Sequence, residues 1–148
     1  MIRKLQTMLA TFFYIGYLPV APGSIATLAG IALSYAVANN PNVYILVTLL
    51  VTIVGFMVSG QAEALTGKKD PGCIVIDEVA GVMIAFYALP QTWPVMWTAF
   101  FVFRAFDMFK IYPGNKFEGM KGSAGIMLDD VIAGIYTNIV MQIVLHYV

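Results

Sequence analysis

Residues 5–62, 79–103 and 131–148 contain no Asp, Glu, Lys or Arg, and within them long apolar runs are bounded by turn-forming residues. Apolar runs bounded by Pro, Gly and Asn predict five helical spans: Ser24–Ala38, Val43–Ser59, Ile74–Leu89, Val95–Ile111 and Ile126–Val148. An amphipathic stretch, Leu5–Tyr17, and a Pro/Gly-rich break, Leu18–Gly23, come before the first span and predict a short interfacial helix. Two uncharged turns, Asn39–Asn42 and Pro90–Pro94, join the first span to the second and the third to the fourth. The two long connections, Gly60–Cys73 and Tyr112–Gly125, are rich in Lys and Gly. The pattern predicts an all-α, polytopic membrane helix bundle forming one domain over residues 1–148. The first span rises only about 22 Å at 1.5 Å per residue, against roughly 30 Å of hydrocarbon, so it is expected to be tilted or partly re-entrant.

Composition sharpens this picture. Hydrophobic residues make up 60% of the chain and charged residues 11%, where soluble domains carry about a quarter charged. The formal net charge of zero argues against a nucleic-acid partner. A single cysteine, Cys73, excludes an internal disulfide and a multi-cysteine metal site. The opening Met1-Ile2-Arg3-Lys4 is followed by Gln6, Thr7 and Thr11, with no evident cleavage site, and reads as a retained segment. With the N-terminus in the cytoplasm, Arg3, Lys4, Lys68, Lys69, Lys116 and Lys121 all fall on the cytoplasmic side, as the positive-inside rule requires. Trp93 and Trp97 then fall at the outer boundary, where indoles tend to sit.

The candidate chemistry lies at the cytoplasmic ends of the spans. Asp77, Glu78, Arg104, Asp107, Lys110, Asp129 and Asp130 are ionisable residues in or beside apolar helices, where charge is costly and must be paired, hydrated or metal-bound. Arg104, Asp107 and Lys110 are three apart and share a helical face. They are either a self-satisfied stripe, or two cations for a phosphate with Asp107 turned to a metal. The doublets Asp77-Glu78 and Asp129-Asp130 offer hard oxygens suited to Mg2+. Neighbours on a helix diverge by about 100°, so one member of each doublet is expected to face the site while the other caps or pairs. Glycine-rich approaches, Asp70-Pro71-Gly72-Cys73 and Lys121–Gly125, lead into the two doublets and can turn backbone N–H groups toward an anion. Lys69 and Ser24 are further candidates for phosphate contact, Ser24 being in the first place the expected N-cap of its helix. The lone His146 and the missing Cys-x5-Arg and Asp-x-Asp patterns set aside histidine, cysteine and aspartyl-motif phosphatase chemistry.

Four blocks, Leu18–Ser24, Asp70–Gly81, Phe103–Lys110 and Gly125–Gly134, resemble the phosphatidylglycerophosphatase A family, in its order and across nearly the whole chain. Departures fall at Lys110-Ile111-Tyr112-Pro113, where the family has a longer basic-aromatic run, and at Gly122-Ser123, where it often has two glycines. The resemblance implies a multi-pass enzyme of the bacterial inner membrane, Mg2+-dependent, that converts phosphatidylglycerophosphate to phosphatidylglycerol and phosphate at the cytoplasmic face. It further implies that Asp77, Glu78, Asp107, Asp129 and Asp130 carry catalysis. Of these, Asp77, Glu78, Asp129 and Asp130 would hold metal, and Arg104, Lys110, Lys69 and Ser24 would hold phosphate. Two rivals are a small ion-coupled transporter and a CDP-alcohol phosphotransferase-like enzyme. The first should expose polar groups on both sides of the midplane, and the second's Asp-Gly-x2-Ala-Arg pattern is absent. Oligomeric state and metal number stay open at this level.

Overall fold

The computed structural model describes residues 1–148 as seven α-helices and one 3-10 turn, with no strand. Helix α1 (Ile2–Ala10) is amphipathic and lays Leu9 and Ala10 against Val58 and Ala62. The chain then turns sharply, with Phe12, Phe13 and Tyr14 all in left-handed backbone, into the 3-10 turn Ile15–Tyr17. Helix α2 (Pro22–Val37) starts with proline at its first position, where the missing N–H costs nothing. Helix α3 (Pro41–Thr66) repeats that device behind an N-cap, Asn40, whose side-chain oxygen accepts the N–H groups of Asn42 and Val43. It ends at left-handed Gly67.

Helix α4 (Ile76–Ala85) is the buried centre of the bundle, with eight of its ten residues inside. It packs on α2, α3 and α7 (Ser123–Tyr147), and α5 (Trp93–Phe109) closes the remaining side. A short helix, α6 (Gly114–Phe117), lies over the start of α7. Each predicted span has its helix, and the amphipathic stretch became α1 and the elbow.

The third span is much shorter than expected. Residues Ile74–Leu89 were expected as one helix, but only Ile76–Ala85 is helical, a rise of about 15 Å. The rest of that run is apolar because it is buried, not because it is helical: Ile74, Phe86 and Leu89 all lie in the core. The turn that ends α4 puts Ala88 in left-handed backbone, and side chains of α3 and α7 receive the carbonyls it releases: Tyr44 donates to Met83 at 2.6 Å and Asn138 to Ala85 and Tyr87 at 3.0 and 2.7 Å.

Only α3 and α7 are both long and apolar enough to cross a membrane alone. Large apolar side chains nonetheless stand exposed in helical rows, Leu46, Leu49, Leu50, Ile53 and Met57 on α3 and Ile135, Ile139 and Ile143 on α7. Such faces need an apolar partner.

Candidate active site

Helices α4 and α7 touch backbone to backbone at Gly81 and Gly134. A Cβ on Gly81 would sit 2.6 Å from the Asp130 carbonyl oxygen, and one on Gly134 would strike the Gly81 carbonyl. Each glycine lies one helical turn beyond an acid, Asp77 on α4 and Asp130 on α7, so the close crossing brings those two carboxylates together. Asp129 joins them, its Oδ1 accepting the N–H of Asp130 at 3.0 Å. One oxygen from each of Asp77, Asp129 and Asp130 lies within 4.8 Å of the others, and all three residues are buried.

Cations come from the end of α5. Lys110, the left-handed C-cap of that helix, swings back to pair with Asp129. Arg104 pairs with Asp107 at 2.6 Å, one turn along the same face. Glu78 lies between α5 and the start of α2: a Cβ on Gly23 would be 2.7 Å from its Oε1 and 3.7 Å from Arg104 Nη1. Three oxygens in this group are buried without any hydrogen-bond partner, Asp77 Oδ1, Glu78 Oε2 and Asp130 Oδ2.

Five carboxylates thus face two cations in an apolar surround. Like charges so close cannot all ionise without further positive charge. Hard oxygens, closely set and unsatisfied, are what a divalent cation such as Mg2+ takes up, and Asp77, Asp129 and Asp130 are the residues able to hold one.

Seven of the nine residues expected at the site converge there. Both members of the Asp129-Asp130 doublet face inward, contrary to the expectation of one, because Asp129 folds its carboxylate back over the next backbone N–H. Glu78 stands beside the trio rather than within it. Ser24 is half-buried in the first turn of α2 next to Gly23, but it is not the N-cap; left-handed Ala21 holds that position because Pro22 already opens the helix. Lys69 is exposed in the loop before α4 and makes no ion pair.

One residue that sequence reasoning passed over ties the site's two loops together. Glu63, on the last turns of α3, accepts the N–H of Asp70 on Oε1 and the N–H of Gly122 on Oε2, each at 2.8 Å. These are the glycine-rich approaches to Asp77 and Asp129. Beside it Ser123 Oγ accepts the N–H of Gly60 at 2.7 Å. Glu63 is the only charged residue on its helix, a signal that sequence could have supplied.

The family model for phosphatidylglycerophosphatase A matches residues 8–145. Phosphatidylglycerophosphatase A of Escherichia coli K12 is 34% identical over 95% of this chain and 83% of its own length. The protein of the same name from Haemophilus influenzae Rd is 36% identical over 90% and 85%. A Bacteroides thetaiotaomicron protein with the provisional name phosphatidylinositol-3-phosphatase is 34% identical over 94% and 92%. No solved structure matches. A family match over nearly the whole chain, with Asp77, Asp129 and Asp130 drawn into one buried cluster, places this chain in the phosphatidylglycerophosphatase A family.

Proposed function

We propose that the chain removes the terminal phosphate of phosphatidylglycerophosphate, releasing phosphatidylglycerol and inorganic phosphate, with Mg2+ held by Asp77, Asp129 and Asp130. The observation that carries this reading is the buried acid trio with unpartnered oxygens, set beside Arg104 and Lys110. Bound Mg2+ would offset charge on the phosphoryl oxygens and make a nearby water more acidic.

The protein's own groups account for the remaining steps. Arg104 presents a planar fork to two phosphoryl oxygens and Lys110 a compact charge to a third. Both are already within the site, held by Asp107 and Asp129, and each must loosen that pairing to engage substrate. Glu78, with a free Oε2 outside the trio, takes the proton of the attacking water. As the new P–O bond forms, the ester P–O bond breaks; the glycerol oxygen takes up a proton from solvent as it leaves, and Glu78 gives its own back to solvent.

The same reading sets the protein in the bacterial inner membrane as a single domain, with α2, α3, α4, α5 and α7 within the bilayer and the charged end cytoplasmic. The one-sided placement of lysines supports that orientation. Helix α4 is too short to span, but its neighbours enclose it, so its ends need not reach water.

The test is phosphate release by the purified protein in detergent, with Mg2+ and then with EDTA. Phosphatidylglycerophosphate and phosphatidylinositol-3-phosphate are offered in parallel, because a relative's name points to the second lipid. Release from the first that EDTA abolishes is the expected result. Preference for the inositol lipid would reassign the substrate. No release from either, by folded protein, would sink the enzymatic reading and favour ion-coupled transport.

A further inference from the structure

The N-terminal elbow borders an open, shallow cleft of about 390 Å3 lined by Arg3, Lys4, Thr7, Tyr14 and Tyr17. It shares no residue with the acid cluster, and Arg3 and Lys4 lie outside the segment that the family model matches. Its charge is of the opposite sign. Neither Arg3 nor Lys4 has an ion-pair partner, and Glu63, an acid of the neighbouring helix, is already engaged with two backbone N–H groups.

The cleft exists because the backbone is held in an unfavourable shape. Phe12, Phe13 and Tyr14 have φ of 45°, 55° and 68°, three consecutive left-handed residues without a glycine. The elbow is fastened at several points. Tyr14 donates its N–H to Thr11 Oγ1 at 3.2 Å, and Gly16 donates to the Thr11 carbonyl at 2.9 Å. Ala10 accepts the N–H of Val75, the residue that opens α4, at 3.0 Å. This turn brings Tyr14 and Tyr17, stacked with centroids 6.3 Å apart, to line the same cleft as the two cations.

Ile2, Leu5, Phe13 and Val20, on the same N-terminal segment, are more than half exposed. Exposed apolar side chains, tyrosines and unpaired cations together match the boundary between hydrocarbon and headgroups, where each basic residue is drawn to anionic lipid. We infer that the elbow is a binding site for the phosphodiester headgroup of an anionic membrane phospholipid, separate from the acid site. Arg3 and Lys4 supply the charge and the two tyrosine hydroxyls supply donors.

The test uses the full chain in a zwitterionic detergent, titrated with dioctanoyl phosphatidylglycerol while the thermal midpoint is followed. Four proteins are compared: wild type, Arg3→Gln/Lys4→Gln, Arg3→Lys/Lys4→Arg and Asp130→Asn. The expected result is a rise of about 5 °C in wild type. The charge-conserving pair and Asp130→Asn should show the same rise, and the glutamine pair none. The glutamine pair should match wild type before lipid is added, since both side chains are exposed. A full rise in the glutamine pair, no rise in wild type, or loss of the rise in Asp130→Asn would each overturn the inference. So would an equal rise caused by inorganic phosphate, which would point to free anion binding and not to a lipid site.

Discussion

The two ends of α4 treat buried polar atoms in opposite ways. At the uncharged end, the carbonyls released as the helix stops are received by neutral side chains. Tyr44 serves Met83, and Asn138 serves Ala85 and Tyr87. At the charged end, Asp77, Glu78 and Asp130 each keep an oxygen that nothing in the protein satisfies. One bundle thus meets the carbonyls freed at one end of α4 and leaves carboxylate oxygens unmet at the other. Leaving a buried acceptor unmet costs about 1–3 kcal/mol, more when charged. The comparison separates polar groups that hold the fold from polar groups that await a ligand.

Substitutions at the two ends should therefore part company. The largest effect is expected from Asp130→Asn, which removes one ligand-grade oxygen from the trio. Turnover should fall by roughly a thousandfold, about 4 kcal/mol of lost charge stabilisation. The thermal midpoint of the metal-free protein should not fall, because an unpaired buried charge is gone. A drop in both would show the acid to be structural. Gly81→Ala comes next: its Cβ must part α4 from α7, costing about 1–3 kcal/mol of stability and about a hundredfold in rate. Wild-type turnover in that variant would mean that the acid spacing does not depend on the crossing.

Glu63→Gln should cost about tenfold in rate. An amide can accept one of the two backbone N–H groups but turns its own donor toward the other, so one glycine-rich loop is released. Hydrogen exchange at Asp70 and Gly122 would show which. The smallest effect on activity, none, is expected from Asn138→Leu. It strands the Ala85 carbonyl at the uncharged end, that of Tyr87 keeping Gln142 at 3.4 Å, and should lower stability by about 1 kcal/mol while leaving kcat and KM alone.

What the chain announced in advance was mostly local. The uncharged runs foretold the helices, and the confinement of charge to three clusters foretold that Asp77, Asp107, Asp129 and Asp130 would meet. Gly81 closed one of the four family-like blocks, but nothing in the sequence marked it as the contact that sets the spacing of the acids. The end of α4 could not be read, because Phe86–Leu89 is as apolar as a helix would be and is stopped by Asn138, some fifty positions away. Ser24 was misassigned for the opposite reason. A local cap rule favoured it, and the fixed φ of Pro22 started the helix three residues earlier. Glu63 was marked only as the one charge on an apolar helix; its partners are backbone N–H groups, which a sequence does not distinguish.

The glycine crossing also has a mechanical side. Gly81 and Gly134 form a pivot, and the acids sit one turn, about 5.4 Å, out along each arm. A tilt of about 10° at the pivot moves a carboxylate by roughly 1 Å, and a displacement of that size can cost about a hundredfold in rate. Helices in a bilayer answer a change in its thickness by tilting. In the bilayer setting proposed above, a tilt of α7, which is long and apolar enough to span, would change the distance between Asp77 and Asp130, and the proposed chemistry would then follow the thickness of the surrounding lipid.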